Sequence, residues 1–356
     1  MPQHDAEAWL SLCLIPGLGP ESARRLLAAF GAPDKVLGAG TAALTPHAGR
    51  DLALAIAAGP DRVQLEAALS WLEDPVNTIV TWADAAYPRR LLEIPDPPPL
   101  LYLKGRRGLL GSPALAVVGS RNATPQGIAN AEAFARALSD SGIAVVSGLA
   151  LGIDTAAHRG GLAGGASSIA VVGTGLDIVY PAGNRALAHE LAARGLLVSE
   201  FPLGVPAMAG NFPRRNRLIS GLALGVLVVE AAAKSGSLIT ARLALEQGRE
   251  VFAIPGSIHS PLSKGCHALI KQGAKLAEHA NDILEELGYP GAPAAPAADP
   301  GSGAPLLAHL GHDPVDVDRL CERSGLPAEQ VAASLLELEL AGLVAPLPGG
   351  KYQRLK

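Results

Sequence analysis

Between about residues 115 and 277, short runs of Val, Ile, Leu and Ala alternate with longer segments of helical period. This alternation is typical of βαβ units and therefore of a parallel sheet. Runs that are apolar at nearly every position further indicate strands covered by helices on both faces. The predicted fold is α/β, with a doubly wound, mostly parallel, Rossmann-like sheet. Its predicted strands are Leu115–Val118, Ile143–Val146, Ile169–Val172, Leu196–Ser199, Val226–Val229, Val251–Ile254 and a weaker one at Lys275–Ala277.

The segments that flank the predicted sheet suggest further domains around a Rossmann-like domain over residues 86–288. Residues 1–85 are rich in Ala and Leu with helical period, which predicts an N-terminal helical domain of SAM or helix-hairpin-helix type. Its Ile15–Pro20 segment contains a glycine turn that either presents amides to a phosphate or is purely structural. Residues 289–304 are rich in Pro, Ala and Gly, as expected for a linker.

Residues 305–356 show three helical stretches followed by a hairpin, which predicts a C-terminal winged-helix domain. The helix in the position of a DNA recognition helix, Pro327–Leu340, carries Glu329, Glu337 and Glu339 and no Lys or Arg. Because DNA repels so acidic a helix, we expect this domain to bind a protein or the dimer partner.

Composition narrows the possible functions further. The formal net charge of −4 gives no general attraction to phosphate, so a nucleic-acid site requires locally concentrated cations. The three cysteines, Cys13, Cys266 and Cys321, lie far apart, and no metal or cofactor site is expected from them. No run reaches the ~20 apolar residues of a membrane-spanning helix, and the first residues do not resemble a secretory signal, so a cytoplasmic location is expected.

Ligands of open α/β sheets bind beyond the carboxyl ends of the strands, so the segment after each predicted strand is a candidate site. After the first strand come Gly119, Ser120 and Arg121. Glycine there permits close backbone approach, the next helix offers free amides, and Arg121 supplies a positive charge. These features predict a phosphate-binding turn, although a solvated strand-to-helix turn has the same composition.

Arginines are concentrated after the fourth strand, in Arg214-Arg215-Asn216-Arg217. Three guanidiniums so close together repel one another unless anions lie among them, and Asn216 adds an amide that can bond a base or a phosphate. A solvated charged face is the alternative, but the apolar Leu218-Ile219 follows directly. Two weaker candidates are Arg185 and the segment Lys234, Ser235, Gly236 and Ser237, although helix capping alone would explain Ser237.

Two acidic residues that could take part in catalysis or metal binding have structural explanations instead. Asp154 and His158 lie one helical turn apart, but no third ligand stands at metal-binding spacing, so a structural pair that fixes the loop after the second strand is expected. Glu230, after a buried strand, is expected to pair with an arginine of the strand-end rim. The sequence contains no dinucleotide fingerprint, Walker motif or nucleophile elbow, so binding without catalysis is expected.

Between about Leu91 and Leu287 the chain resembles the DNA processing protein A (DprA or Smf) family. The segments that carry the resemblance are VVGSRNATPQG, VVSGLALGIDTAAHRGGL, IAVVGTGLDIVYPAGN, FPRRNRLISGL, VVEAAAKSGSLITARLALEQGREVFAIPGS and GCHALIKQGAKL. The resemblance implies a core that binds single-stranded DNA, dimerises, and protects and delivers incoming DNA to the RecA recombinase in natural transformation (competence) and recombination. The residues that match the family's DNA-binding pocket are Gly119, Ser120, Arg121, Arg214, Asn216 and Arg217.

The chain departs from the family pattern at one position, and the resemblance also implies a second functional surface. Where the family often has Lys after Tyr180-Pro181, this chain has Ala182, for which Arg185 or Lys234 is expected to compensate. The surface for self-association and for RecA is carried over to Leu245, His267 and Leu276.

Two other classes of function compete with this interpretation. Lysine decarboxylase-like phosphoribohydrolases share a similar Rossmann variant, but their P-G-G-x-G-T-x-x-E motif is missing here. A scaffold that uses only the winged domain would leave the arginine cluster unexplained.

Overall fold

The computed structural model describes residues 3–290, 305–311 and 313–355. The N-terminal part of the chain has six helices, and the apolar sides of the first five form a small core around Leu26, Leu44 and Ile56. These helices are α1 (Gln3–Cys13), α2 (Pro20–Phe30), α3 (Pro33–Leu37), α4 (Thr41–Ala48), α5 (Arg50–Ala58) and α6 (Arg62–Trp71).

A nine-stranded sheet follows, with the spatial order β1-β2-β6-β5-β4-β3-β7-β8-β9. The seven strands from β6 to β9 in this order are mutually parallel, while β2 is antiparallel to β6 and β1 is antiparallel to β2. The strands are β1 (Asn77–Thr81), β2 (Leu100–Gly105), β3 (Ala114–Val118), β4 (Ala144–Ser147), β5 (Ser168–Val171), β6 (Leu196–Ser199), β7 (Gly225–Val228), β8 (Glu250–Ala253) and β9 (Lys275–Leu276). The predicted doubly wound, mostly parallel α/β fold is confirmed.

Two strands were missing from the sequence prediction. The expectation that residues 1–85 are helical is wrong at β1, and β2 lies in a part of the 86–288 domain for which no strand is predicted. The β-branched run Thr78-Ile79-Val80-Thr81 was the available signal. The two strands pair with each other and then extend the parallel sheet beyond β6, an arrangement that depends on a distant partner rather than on local pattern.

Helices cover both faces of the sheet. Successive residues of a strand point to opposite faces, so each strand packs against helices on both sides. Leu115 and Val117 of β3 pack with one group of helices, while Ala116 and Val118 pack with the other. These helices are α7 (Arg89–Leu92), α8 (Pro125–Asp140), α9 (Ile153–Ala163), α10 (Arg185–Arg194), α11 (Asn211–Leu222), α12 (Ser237–Glu246), α13 (Lys264–Lys271) and α14 (Ala280–Glu286).

The N-terminal helices share a core with the end of the sheet that carries β1 and β2. Trp9 and Leu10 of α1 and Ala68 of α6 belong to the same buried cluster as Tyr102 of β2. Arg24 of α2 donates a 3.2 Å hydrogen bond to the carbonyl of Pro95, ahead of β2. The N-terminal helices and the sheet therefore meet in one apolar contact.

The C-terminal segment has its own apolar core, which includes Leu320, Val331 and Leu335. Its elements are β10 (Val315–Asp316), α15 (Val317–Ser324), α16 (Ala328–Leu340), β11 (Val344–Leu347) and β12 (Lys351–Arg354), with the strand order β10-β12-β11. The predicted winged helix is confirmed, while the predicted linker 289–304 falls almost entirely outside the described residues. Within the ranges that are described, no helix is long and apolar enough to cross a membrane.

Candidate nucleic-acid interface

A cleft of about 680 Å³ opens where the order of the parallel strands reverses. The chain runs from β3 outward through β4, β5 and β6 and then returns to β7, on the other side of β3. The loops that leave β3 and β7 therefore diverge above the sheet and leave a crevice between them. The turn after β3, the loop after β7 with the start of α12, and one side of α11 line this cleft, together with Ala150, Asp154, Tyr180, Ala207 and Ala209.

The turn after β3 places Gly119, Ser120 and Arg121 at the cleft. A side chain at Gly119 would lie 2.7 Å from the Ile153 side chain and 2.9 Å from the Glu230 carbonyl, so only glycine fits. The Ser120 hydroxyl accepts a 3.1 Å hydrogen bond from the Asn122 amide. Arg121 is exposed, and its guanidinium lies 5.6 Å from the centre of the Phe212 ring. This cation is free to meet a phosphate.

The first turn of α8 does not offer the free anion site that the sequence predicted. Glu230 accepts hydrogen bonds from the Thr124 amide at 3.0 Å and from the Thr124 hydroxyl at 2.5 Å. A carboxylate thus already occupies the positive end of the α8 dipole. The expected pairing of Glu230 with a rim arginine is wrong for the same reason. Burial raises the pKa of Glu230, and the bonds from Thr124 act against that rise.

The arginine cluster lies on α11, and the helix turns its members in different directions. Successive residues differ by about 100° around a helix, so Arg214 and Arg217 share one side while Pro213 and Asn216 share another. Asn216 lines the cleft. Arg214 and Arg217 instead bind Glu200, at 3.2 and 2.6 Å, and Arg217 also lies 3.4 Å from Asp96. The three guanidiniums of the cluster therefore do not share one side of the helix.

Arg215, the third arginine, forms part of the cleft floor. It is buried and donates to the Gly148 carbonyl at 2.6 Å and to the Val171 carbonyl. Burial lowers its pKa to about 10, while nearby Asp154 favours the charged form. The guanidinium thus ties the ends of β4 and β5 to α11 below the cleft.

Asp154 and His158 have separate partners. Asp154 accepts hydrogen bonds from the amides of Gly148 and Ala150, at 3.1 and 3.2 Å, and so fixes the loop after β4 as predicted. His158 does not join it but lies 2.7 Å from the Ser168 hydroxyl through Nδ1. Burial lowers the His158 pKa to about 3 and raises that of Asp154. No group of metal ligands occurs among the described residues.

The loop after β7 brings Lys234, Ser235, Gly236 and Ser237 to the cleft wall opposite Arg121. The hydroxyls of Ser235 and Ser237 are 2.7 Å apart, and the Ser235 hydroxyl also accepts from the Ser237 amide at 3.3 Å. Lys234 is exposed there, whereas Arg185 is exposed at the start of α10 and is not part of the cleft lining. Of the two cations expected to compensate for Ala182, the structure brings Lys234 to the cleft.

Two aromatic residues lie at the cleft that the sequence analysis does not predict as site residues. The rings of Tyr180 and Phe212 lie 5.6 Å apart at an angle of 34°, and Tyr180 is 47% exposed. Exposed aromatic faces beside cations are typical of single-stranded nucleic-acid sites, where bases stack. The available signal was the position of each aromatic residue, directly before a proline in a strand-end segment.

The residues assigned to the second surface lie on elements near the β9 edge of the sheet. Leu245, in the last turn of α12, and Leu276, on β9, are 53% and 46% exposed. His267 on α13 is held by its Nε2, 3.0 Å from the Gly256 carbonyl. The outer side of β9 has no neighbouring strand in the sheet of the described chain.

The doubly wound sheet, with a polar and aromatic cleft at its switch point, defines a Rossmann-like α/β protein suited to binding phosphorylated ligands. The chain belongs to the DNA recombination-mediator protein A family, whose profile matches residues 78–288. The profile of the DprA winged helix domain matches residues 290–350.

Relatives and solved structures agree with this assignment. The chain is 47% identical to protein Smf of Escherichia coli over 307 residues, which cover 83% of this chain and 82% of Smf. It is 48% identical to DNA processing protein DprA of Streptococcus pneumoniae over 206 residues, which cover 58% of this chain and 73% of DprA. The X-ray structure of the S. pneumoniae protein matches with a TM-score of 0.69 and 39% identity, covering 77% of this chain and 95% of that one.

A second solved structure is that of DNA processing protein A from Helicobacter pylori, which was described for its single-stranded DNA binding mode. It matches with a TM-score of 0.55 and 31% identity, covering 60% of this chain and 98% of that one.

Proposed function

We propose that this protein binds single-stranded DNA in the cleft at the switch point of its sheet. The observation that carries the proposal is the placement of the Arg121 cation against the Phe212 ring, with Tyr180 exposed beside it. Cations bind phosphates and aromatic rings stack on bases, a combination that suits a strand with unpaired bases. The H. pylori relative described for single-stranded DNA binding supports the same assignment.

The proposed contacts follow the walls of the cleft. Phosphates meet Arg121 and Lys234 and the hydroxyls and amides of the two flanking turns, while Asn216 bonds a base or a phosphate. Arg214 and Arg185, both exposed, lie outside the cleft lining and would serve a strand that runs beyond it. Arg217 contributes indirectly, because its guanidinium binds Glu200 and so holds α11 in place. Including Arg217 in this indirect role, the residues proposed to bind or position the DNA are Gly119, Ser120, Arg121, Arg185, Arg214, Asn216, Arg217, Lys234, Ser235, Gly236 and Ser237.

The cleft favours single strands over duplex for a geometric reason. Turns and helix ends contribute most of its lining, and α11 turns Asn216 toward it rather than Arg214 or Arg217, so the described residues present no row of basic side chains there that could enter a major groove. The winged domain does not supply one either, since Glu329, Glu337 and Glu339 are exposed along α16. A flexible strand can follow the cleft and expose its bases to Tyr180 and Phe212.

In the cell, we propose, a cytoplasmic homodimer of this chain protects incoming DNA and loads RecA onto it, in natural transformation and recombination. The exposed Leu245 and Leu276 beside the β9 edge provide apolar area that self-association would bury.

No catalytic step is proposed, since the cleft combines binding groups without a paired nucleophile and base. Incubated nucleoside monophosphates should accordingly remain intact, and their hydrolysis would favour the phosphoribohydrolase alternative.

A titration with labelled oligo(dT) and with a blunt duplex of equal length, each across a range of salt concentrations, tests the proposal. We expect tighter binding of the single strand and a linear fall of log K with log salt, because phosphate contacts release counterions. Equal affinity for duplex, or affinity that does not respond to salt, would overturn it.

A further inference from the structure

The helix α16 of the winged domain is apolar on two opposite sides. Val331, Leu335 and Leu338 are buried in the core of the domain. Leu336 and Leu340 lie one helical turn apart on the opposite side of the helix, where they are 57% and 81% exposed. A helix that is apolar all round is ordinarily covered all round. The leucine strip of Leu336 and Leu340 therefore indicates a contact that buries it.

Two carboxylates flank the leucine strip and define what fits it. Glu337 and Glu339 are exposed, and each lies about 80° around the helix from the line through the leucines, one on either side. The sequence of α16 contains no Lys or Arg that could neutralise them. This surface repels a polyanion and suits a partner with exposed apolar or aromatic side chains between cations.

The DNA cleft of this chain has that chemistry. Tyr180 in its lining is 47% exposed, and Met208, whose two neighbours in the chain line the cleft, is 50% exposed. Arg121 and Lys234 are exposed cations on opposite walls. Among the described residues of the lining, Asp154 is the one acid, and it is buried and already accepts two backbone amides. The cleft and the leucine strip are therefore complementary in charge and in apolar character.

The chain that connects the two domains is long enough for them to meet. Residues 291–304 lie between them, and at about 3.5 Å per residue these 14 residues span up to about 50 Å. The connection leaves the Rossmann-like domain after α14, which packs against α8. The 16-residue α8 is about 24 Å long, and it begins directly after the cleft turn that follows β3. The α16 helix can therefore reach the cleft of its own chain.

We propose that α16 docks its leucine strip in the DNA cleft of the same chain, with Glu337 and Glu339 at the cations of the cleft walls, and that single-stranded DNA displaces it. The helix offers carboxylates and apolar side chains where a DNA strand offers phosphates and bases. Side chains at i and i+4 are the usual anchors of a helix in a groove. The inference rests on the proposed DNA binding and adds an internal competitor, which lowers the apparent affinity by the fraction of molecules that are docked.

Zero-length cross-linking of the full chain tests the docked arrangement, because a carbodiimide joins an amine only to a carboxylate in contact with it. We expect an amide between Lys234 and Glu337 or Glu339, identified by peptide mass spectrometry in the monomer band of a denaturing gel. Saturation with oligo(dT) should abolish this product, and so should Lys234→Arg, which keeps the charge but removes the amine. The same product confined to the dimer band would overturn the assignment to the same chain.

A titration with oligo(dT) measures the competition. Leu336→Ala combined with Leu340→Ala removes the leucine strip without a change of charge, and both positions are exposed, so the fold should persist. We expect the double variant to bind about tenfold more tightly than the parent, the gain for a docked state that is favoured about tenfold. Leu54→Ala, at a 53% exposed leucine on α5, is the control and should bind like the parent.

The carboxylates are tested in the same way. Glu337→Gln combined with Glu339→Gln should also tighten binding severalfold. Asp318→Asn combined with Glu322→Gln makes the same change of charge at exposed positions of α15 and should leave the affinity unchanged. If neither the leucine nor the glutamate variant binds more tightly than the parent, the docking of α16 is overturned while the cleft proposal stands. Failure of the parent and of both variants to bind oligo(dT) contradicts the proposed function instead.

Discussion

At the scale of single residues, Arg121 and Arg217 have opposite environments although each is a cation in a strand-end segment. Arg121 is exposed at the cleft, where a guanidinium keeps its charge available to a ligand. The Arg217 side chain is 11% exposed and binds a carboxylate that is itself 1% exposed. Substitution should therefore affect DNA binding at the first position and folding at the second.

For Arg121→Ala we expect weaker binding to single strands of any sequence, because phosphate contacts carry no base information. The slope of log K against log salt should become shallower by about 0.7, the value of one lost phosphate contact on a single strand. Fluorescence titration at several salt concentrations measures both quantities. Arg136→Ala, at an exposed i,i+4 pair on α8, is the control and should match the parent protein. An unchanged slope in Arg121→Ala would remove this residue from the site.

For Arg217→Ala we expect a loss of about 3 kcal/mol in the free energy of unfolding, since Glu200 would keep a buried charge with only Arg214 as partner. Urea denaturation of the variant and the parent checks this value. Unfolding midpoints that coincide, together with weakened DNA binding, would show that Arg217 reaches the DNA directly.

His158 should make folding sensitive to acid. Its pKa is lowered in the folded protein to about 3 from an ordinary value of 6.5, because burial disfavours the imidazolium. Below pH 6.5 the unfolded chain therefore takes up a proton that the folded protein does not, and stability falls as pH decreases toward 3. At pH 5 the loss is about 2 kcal/mol. His158→Gln should remove this part of the pH dependence of unfolding, and an identical dependence in both proteins would contradict the assignment.

At the scale of elements, the turn after β3 packs closely against the start of α9 at Gly152. This glycine has φ of +74°, and a side chain on it would lie 2.4 Å from the Ser120 carbonyl and 2.6 Å from the Arg121 carbonyl. The Ile153 amide donates to the same Ser120 carbonyl at 3.1 Å. The N-terminus of α9 therefore sets the position of the binding turn.

Gly152→Ala should displace this turn and weaken both folding and DNA binding. Gly142→Ala is a matched control, since Gly142 also has positive φ, at +86°, but a side chain there meets no atom within 4 Å. The control should lose only the roughly 1–2 kcal/mol associated with the left-handed conformation and bind DNA normally. Thermal unfolding and oligo(dT) titration of the two variants distinguish steric displacement from backbone strain.

At the scale of the whole molecule, the β9 edge is the proposed contact between two copies of the chain. Leu276→Arg should place a guanidinium in the buried contact and yield a monomer that still holds DNA, with lower avidity. Leu92→Arg changes an equally exposed leucine, at 46%, on α7 and should leave the dimer intact. Sedimentation velocity measures the oligomeric state, and a RecA filament-nucleation assay follows. A Leu276→Arg variant that remains dimeric and loads RecA normally would show that the surface lies elsewhere.

The sequence by itself determined the seven parallel strands, the winged helix and the segments that surround the cleft. Those features are local: a strand buried on both faces is apolar along its length, as in Leu115–Val118, and ligand segments follow strand ends. Only the tertiary structure decided which side chains face the cleft. Glu200 draws Arg217 away from it, Glu230 occupies the α8 terminus through Thr124, and β2 joins the sheet through β6. Each depends on a partner in another segment, between 17 and about 100 residues away, and no local pattern encodes such a contact.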